Sequence, residues 1–300
     1  VSGVLLQDLL FTPFRAPTDN DAHSPLVLGK QNWFTKQYDH PKRTCLEVRQ
    51  GNGAEEPSLV YTTAYQTEKD NFYVTIGLWQ AGQNRIFIDC NVQSPAEMLS
   101  PGRIGMTAIL PVRFTAMNWY GKGPLETYPD RQCGGRMGVY SEDVRNQPFY
   151  LRPQEYGLHT ESRSMRLTDP DRADFVRFEA ACPMAMSAVP YSDLQLWNAR
   201  HPHELPAPEA LYVHLDYAHR GLGNSSCGPD VLPTYRIDDR PCRFGFALEA
   251  GLGEREDNPF GPIPEEIPAY HPWKAVGEQD RTPSYRDPSD PDQRSNAGMV

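Results

Sequence analysis

The feature that most constrains this fold is a set of short segments in which apolar and polar residues alternate. Residues 85–92 read RIFIDCNV and alternate with period two, and residues 72–79 read FYVTIGLW and are rich in β-branched and aromatic side chains. Similar patterns recur at residues 174–179, 212–216 and 243–248. Such alternation buries one face of a strand and leaves the other in water, as in antiparallel sheets. The sequence therefore predicts an all-β fold, a large antiparallel β-sandwich.

Helices have little place in this sequence. The chain contains 29 prolines among 300 residues, and proline disfavours long helices because it lacks the amide donor that a helix interior needs. One short helix is predicted over residues 193–200. The hydroxyl of Ser192 can accept hydrogen bonds from the free amides of its first turn, and Pro202 ends it.

Composition divides the chain near residue 250. Residues 1–250 contain the strand patterns and are predicted to form the sandwich. Sandwich domains commonly have about 100 residues, so this region is either two domains or one very large one. Residues 251–300 are rich in proline and charge, which predicts a tail that is disordered or lies along a partner. The chain begins with neither an initiator methionine nor a signal peptide, so we expect it to be cut from a longer protein.

Charge and cysteine content exclude several classes of protein. The net charge is −10 and no basic run is present, which argues against nucleic acid as the partner. No apolar stretch approaches the roughly 18 residues of a membrane helix. The cysteines are too far apart for a CxxC zinc or redox motif, so free thiols in a reducing compartment are predicted. They are Cys45, Cys90, Cys133, Cys182, Cys227 and Cys242.

Two segments have the composition of a metal site. Residues 15–23, RAPTDNDAH, place two carboxylates, an amide and an imidazole close together, but they lack the spacing of a calcium loop. Asp and Asn also bond their own backbone, so a capped turn is the preferred interpretation. Residues 201–204, HPHE, have no third ligand nearby, and zinc usually needs three or four, so no metal is predicted there.

Four segments together point to a known family. They are FRAPTDND at 14–21, NWYGKGPLETYPDR at 118–131, PQEYG at 153–157 and HRGLGNSSCGP at 219–229. The second resembles the WxGxGPxExYxDR segment of β-galactosidases of glycoside hydrolase family two. The other three resemble further segments of that family in the same order, with Tyr156 in place of an Asn. The resemblance extends from about Phe11 to Leu248.

The resemblance is to the last domain of these enzymes, which some bacteria make as a separate small subunit. It implies a large antiparallel β-supersandwich, like galactose mutarotase in fold. In the family, the nucleophile and acid/base glutamates lie on a TIM barrel that precedes this domain. The resemblance therefore implies that this chain has no catalytic residue, that it is inactive alone, and that the barrel is its partner.

The resemblance also implies the setting in which the chain works. The complete enzyme would hydrolyse terminal β-galactosides of the lactose type with retention, through two glutamates outside this chain. Mg²⁺ and Na⁺ are implied for the family, with ligands on other domains and none here. A cytoplasmic homo-oligomer is expected, with neither a membrane nor a nucleic acid as partner.

Six substrate-binding residues are implied by the same resemblance. Residues 101–105, PGRIG, resemble a mobile loop that closes toward bound sugar, with a glycine suited to such movement. Residues 219–229 resemble a loop in which many members place a Trp that stacks on the sugar, at the position of Cys227. The predicted residues are Arg103, Ile104, Gly105, His219, Asn224 and Cys227.

Two other functions stay open at this point. A stand-alone aldose 1-epimerase would need a His acid and a Glu base in one cleft. His159 and His214 are present, but the sequence pairs neither with a particular Glu. A non-catalytic carbohydrate-binding module would need exposed aromatic platforms.

Overall fold

The computed structural model describes residues 5–51, 56–68, 71–81, 83–147 and 150–253. The tail predicted at 251–300 lies outside these residues, apart from Gly251, Leu252 and Gly253. The strands are β1 (Asp8–Thr12), β2 (Lys42–Gln50), β3 (Leu59–Gln66), β4 (Asn71–Gln80), β5 (Arg85–Gln93), β6 (Arg103–Pro111), β7 (Ala116–Gly123), β8 (Arg136–Asp143), β9 (His159–Thr168), β10 (Phe175–Val189), β11 (Ala210–His219) and β12 (Cys242–Gly251). The α-helices are α1 (Asp19–Ala22), α2 (Pro25–Leu28) and α3 (Asp193–Asn198).

The strands form one connected sheet in the order β1-β6-β11-β10-β12-β5-β4-β3-β2, with β9, β7 and β8 branching from β10. Every pairing between these strands is antiparallel. The branch arises at β10, which has 15 residues. Residues 175–180 of β10 pair with β12, and residues 185–189 pair with β11, while β9 pairs along residues 175–186 with two register shifts. The predicted all-β antiparallel architecture is confirmed.

The sheet curls until its two ends meet. In the strand order β1 and β2 are furthest apart, yet the Phe11 amide of β1 donates to the Tyr65 hydroxyl of β3 at 3.1 Å. The Arg43 guanidinium of β2 donates to Asp8 of β1 at 3.3 Å. The Phe11 ring lies 5.2 Å from that of Tyr65 and 5.3 Å from that of Phe72. We call the junction between β1 and the β2–β3 pair the seam.

The core lies inside this curl and is built from the inward faces of the strands. Trp33 and Trp119 are fully buried there, among Phe, Ile, Val, Leu and Met side chains. Full burial of one such side chain contributes about 1.5–3 kcal/mol relative to leaving it in water. The apolar positions of the alternating segments are thus the ones that face this core.

The predicted strands and the predicted helix are all present in the structure, but their lengths differ from the predictions. The five predicted strands are β4, β5, β10, β11 and β12, each longer than its pattern. Ser192 caps α3, as predicted, and also forms a capping box with Gln195. The helix ends at Asn198 because Ala199 is already extended. The remaining strands, β1 to β3 and β6 to β9, were not predicted.

The prediction of a mobile loop at residues 101–105 is wrong. Arg103, Ile104 and Gly105 begin β6 and are buried, with β1 and β11 paired on its two sides. A Cβ at position 105 would lie 2.5 Å from both Asp216 Oδ1 and the Leu215 carbonyl oxygen. Glycine stands there because β11 passes too close for a side chain, beside a bulge between Asp216 and Ala218.

The cysteines are free thiols, as predicted, and Cys45, Cys133 and Cys227 are exposed. Within the part of the chain that the structure describes, no helix has both the length and the apolar character needed to cross a membrane.

The close approach of β11 to Gly105 predicts a stability effect. Gly105→Ala should lower the free energy of unfolding by about 1–3 kcal/mol, because a backbone carbonyl cannot move aside for the new methyl group. Gly134→Ala is the matched control, since a Cβ there has no neighbour within 4 Å, and it should change stability by less than about 0.5 kcal/mol. Urea unfolding measures both, and equal stability of the two variants would contradict this packing.

Candidate functional site

The site is built on a buried arginine near the start of the chain. The Arg15 side chain has no exposed surface, and its Nε and Nη2 both donate to Asp21 at 3.0 Å. Thr18 caps α1 in a capping box with Asp21, which confirms the capped turn predicted for this segment. Both carboxylate oxygens of Asp21 are thereby bonded within the protein, to Arg15 and Thr18.

Arg15 also holds the segment that follows β11. Its Nη1 donates to the carbonyl oxygen of Arg220 at 2.6 Å, and its Nη2 donates to that of Gly221 at 2.9 Å. Arg220 is itself buried and binds both oxygens of Asp230 at 2.9 and 3.0 Å. The two arginines therefore fix both ends of residues 221–230, which we call the anchored loop.

Asp130 holds the first turn of the anchored loop. Its two carboxylate oxygens accept the Leu222 and Gly223 amides, each at 2.8 Å. A Cβ at Gly221 would lie 2.6 Å from Asp130 Oδ2, and Gly223 has a φ of +70°. Glycine is required at both positions, for close approach at one and for the left-handed conformation at the other.

Asn20 holds the exposed part of the anchored loop. Its Nδ2 donates to the Gly223 carbonyl at 2.7 Å, and its Oδ1 accepts the Ser226 amide at 3.2 Å and hydroxyl at 2.9 Å. The Cys227 and Gly228 amides bond the Asn224 carbonyl at 3.0 and 2.6 Å, which closes a turn. The result is a small exposed polar surface with a firmly bonded backbone.

The structure separates the predicted site residues into two groups. Asn224 and Cys227 lie exposed on the anchored loop. His219 lies behind it, buried, with its Nδ1 3.4 Å from Arg15 Nη1. Arg103 shares that buried region, whereas Ile104 and Gly105 lie in β6 and are not part of the exposed surface.

Arg103 is the centre of a second buried cluster. It bonds Glu155, lies 3.3 Å from Asp193 Oδ1, and places its Nη1 3.6 Å from Asp216 Oδ2. One guanidinium thus faces three carboxylates, and the side chains of Arg103 and Asp216 have no exposed surface. Burial of an excess negative charge is costly, so at least one carboxyl group must hold its proton.

The pKa values of the buried groups follow from this arrangement. Burial raises the pKa of Asp216 to about 8, because desolvation outweighs the attraction of Arg103. Burial also raises the pKa of Asp193 to about 6. The pKa of His219 is lowered by burial and by the charges of Arg15 and Arg103, so its imidazole is neutral.

The arrangement does not favour an epimerase. His219 Nε2 lies 3.6 Å from Glu155 Oε1, but both side chains are buried and no substrate reaches them. His159 stacks on Trp119 at 4.0 Å, and His214 bonds Thr107 at 2.9 Å. Among the described residues we therefore find no His–Glu pair open to a substrate.

Metal binding is likewise not favoured. Outside the undescribed segments, no group of three or more His, Cys, Asp or Glu residues could hold an ion. The rings of His201 and His203 stack on each other 5.5 Å apart instead.

Sequence reasoning missed most residues of this site, among them Asn20, Asp130 and Asp230, whose side chains bind the anchored loop or its end. Asn20 and Asp130 stand inside two of the motifs, FRAPTDND and the segment ending in YPDR. The signal was therefore present, but it did not say that both residues contact the same loop. Asp230 follows the last motif directly and carried no signal of its own.

Comparison with known proteins gives a consistent result. A family model described as the β-galactosidase small chain matches residues 2–248. A β-galactosidase of Arthrobacter sp. (strain B7) is 33% identical over 248 residues, covering 75% of this chain and 24% of its own length. A β-galactosidase of Staphylococcus xylosus is 26% identical over 251 residues, covering 82% of this chain and 24% of its own length. The chain therefore spans about a quarter of the length of these relatives.

Two solved structures align with part of this chain, both at low TM-scores. A homologue of aldose epimerase from C. elegans aligns with a TM-score of 0.36 and 8% identity, over 77% of this chain and 71% of that one. A galactose mutarotase related enzyme from Lactobacillus acidophilus aligns with a TM-score of 0.35 and 8% identity, over 70% of this chain and 73% of that one.

The raised pKa of Asp216 predicts how stability depends on pH. Between about pH 4 and pH 8 the folded chain keeps a proton on Asp216 that the unfolded chain has released, so stability falls as pH rises, by up to about 1.4 kcal/mol per unit. Asp216→Asn should flatten this slope. Urea unfolding between about pH 5 and pH 8 measures it.

Asp143→Asn is the control for this test, because Asp143 is a carboxylate near the surface that binds Arg145. Its stability curve should keep the wild-type slope over the same range. Parallel curves for wild type and Asp216→Asn would show that Asp216 is ionised in the folded state and would contradict the assignment.

Proposed function

Because the chain belongs to the β-galactosidase small-chain family, we propose that it forms the C-terminal part of a β-galactosidase of glycoside hydrolase family two. The complete enzyme would hydrolyse terminal β-galactosides of the lactose type with retention. This chain would pack on a catalytic barrel and complete the wall of its active site.

The observation that carries this proposal is the anchored loop. Three segments far apart in the chain supply Asn20, Asp130 and Arg220, and all three bind residues 221–230. A surface loop held by this many side-chain bonds has a fixed backbone, which is what a group that positions a substrate needs. Its exposed part presents Asn224, Ser226 and Cys227 to whatever lies against it.

The carboxylates near the anchored loop indicate which part of the enzyme would supply the reacting groups. Retaining hydrolysis needs two carboxyl groups about 5–5.5 Å apart, one as nucleophile and one as acid/base. Asp21, Asp130 and Asp230 all bind arginine side chains or backbone amides, so they are occupied by structural roles. In the proposal, the reacting pair is therefore supplied by the barrel, and this chain alone does not hydrolyse substrate.

The buried residues would act through the loop rather than on the sugar. Arg15 holds the backbone at Arg220 and Gly221, and His219 Nδ1 lies 2.9 Å from the same Arg220 carbonyl oxygen. The proposed substrate contacts are accordingly Asn224 and Cys227. The proposal also places the Mg²⁺ and Na⁺ of the family on other domains, and the assembled enzyme in the cytoplasm as a homo-oligomer.

Loss of the Asp130 carboxylate should reduce activity in the complete enzyme. Asp130→Ala removes the acceptor for two loop amides, so the loop should shift and kcat/KM for a nitrophenyl β-galactoside should fall by about tenfold or more. Asp143→Ala is the control, since Asp143, the last residue of β8, binds Arg145 and its loss should leave kcat/KM unchanged. Wild-type kinetics for Asp130→Ala in a folded enzyme would refute the role of the loop.

The exposed position of Cys227 predicts a gain of affinity. Cys227→Trp adds an aromatic surface on which a sugar can stack, and galactose should inhibit the complete enzyme about tenfold more tightly, equivalent to about 1.4 kcal/mol. Cys133→Trp, also at an exposed cysteine but outside the loop, should change nothing. If both variants have wild-type inhibition constants, Cys227 does not face the sugar.

A further inference from the structure

The turn that carries Asp130 is bonded to a second carboxylate, that of Glu126. The Glu126 side chain is largely buried, with 19% of its surface exposed, and both of its oxygens accept hydrogen bonds. Its Oε2 accepts the Gly157 amide at 2.8 Å. Its Oε1 accepts hydrogen bonds from the Tyr150 hydroxyl and from Arg131 Nη2. One carboxylate thus joins three separate segments of the chain.

Tyr150 adds a second bond to the same guanidinium. Its hydroxyl lies 3.2 Å from Arg131 Nη2, so it accepts from Arg131 while it donates to Glu126. Burial raises the pKa of Tyr150, and the hydrogen bond to Glu126 raises it further, so the hydroxyl keeps the proton that it donates. Hydrogen bonds to charged groups are stronger than those between neutral groups. Arg131 is therefore held by two partners, although half of its side chain is exposed.

The position of Arg131 determines that of Asp130, its neighbour in the chain. The Tyr128 amide donates to the Arg131 carbonyl at 3.0 Å, and the Arg131 amide donates to the Tyr128 carbonyl at 2.9 Å. Residues 128–131 therefore form a closed turn that contains Asp130. The Arg131 guanidinium also lies 5.3 Å from the centre of the Tyr128 ring, which is fully buried. A displacement of Arg131 thus moves the Asp130 carboxylate.

Asp130 tolerates little displacement. It accepts the Leu222 and Gly223 amides at 2.8 Å, one on each oxygen, so a shift of the carboxylate lengthens at least one of the two bonds. Hydrogen bonds weaken steeply when donor and acceptor are misaligned. A Cβ at Gly221 would lie only 2.6 Å from Asp130 Oδ2, so the carboxylate is already in close contact with the loop backbone. The first turn of the anchored loop is therefore sensitive to whatever holds Asp130.

We propose that Glu126 is a positioning residue for the anchored loop and acts on it through Arg131 and Asp130. The hydrogen bonds of Glu126 go to Arg131, Tyr150 and Gly157, so its effect on the loop is indirect. Its loss releases Arg131, shifts Asp130 and weakens the bonds to the first two loop amides. The consequence for catalysis rests on the proposed function, whereas the effect on the loop can be measured in this chain alone.

The test measures hydrogen exchange of backbone amides by NMR in the 300-residue chain. Glu126→Ala should speed the exchange of the Leu222 and Gly223 amides by about tenfold or more, because their acceptor is displaced. The Arg220 amide, which donates to the Gly102 carbonyl at 3.0 Å, should keep its wild-type rate. Glu126→Gln retains one oxygen acceptor and should give rates between those of wild type and Glu126→Ala. Wild-type rates at Leu222 and Gly223 in Glu126→Ala, or equal acceleration at Arg220, would overturn the proposal.

A double-mutant cycle distinguishes this route from a general effect on stability. In a chain that already carries Asp130→Ala, adding Glu126→Ala should change the two loop amide rates by less than about twofold, because the acceptor that Glu126 positions is gone. Fully additive effects would show that Glu126 does not act through Asp130. Glu249→Ala is the matched control, since Glu249 is a partly buried carboxylate on β12 that binds Arg177 at 2.6 Å, and it should leave both rates unchanged.

Kinetics of the complete enzyme separate this proposal from the proposed function. Glu126→Ala should lower kcat/KM for a nitrophenyl β-galactoside by about tenfold, and the double variant with Asp130→Ala should be no slower than Asp130→Ala alone. Faster exchange of the loop amides combined with wild-type kinetics in both single variants would refute the proposed function, while confirming that Glu126 positions the loop.

Discussion

The structure depends on two guanidinium groups, those of Arg15 and Arg103, that are fully removed from water. A buried cation is tolerated only when anions and carbonyl oxygens replace its lost hydration. Arg15 obtains these from Asp21 and the backbone at residues 220–221, and Arg103 obtains them from Glu155 and Asp193. This requirement brings residues 15–21, β6 and the end of β11 together, and so it creates the site.

Much of the fold could be predicted from local pattern. Alternation identified five strands and their antiparallel class, and the side chain of Ser192 identified the start of α3. Both signals are local, because a strand face and an N-cap depend on residues a few positions apart. Seven strands were missed. In β6 nearly every residue is buried, so no polar face alternates with an apolar one. In β2 most residues are exposed on both faces, so no alternation arises.

The candidate site was less predictable, because its contacts join distant positions. Asp130 bonds Leu222 across 92 residues, and Asn20 bonds Gly223 across 203. The motifs identified the segments, but only folding shows that they meet. Gly105 illustrates the opposite error, since a glycine interpreted as a hinge of a moving loop is one that a neighbouring strand requires. A motif records that a residue matters without recording whether the reason is movement or close packing.

The central claim is that the anchored loop, residues 221–230, forms part of the wall around a bound galactoside. The most direct measurement is a structure of the complete enzyme with galactose in its active site. The account predicts that the side chain of Asn224 or Cys227, or a single bridging water, lies within about 3–4 Å of the sugar. A sugar bound with the whole loop out of reach, against another surface of the chain or against the barrel alone, would contradict it.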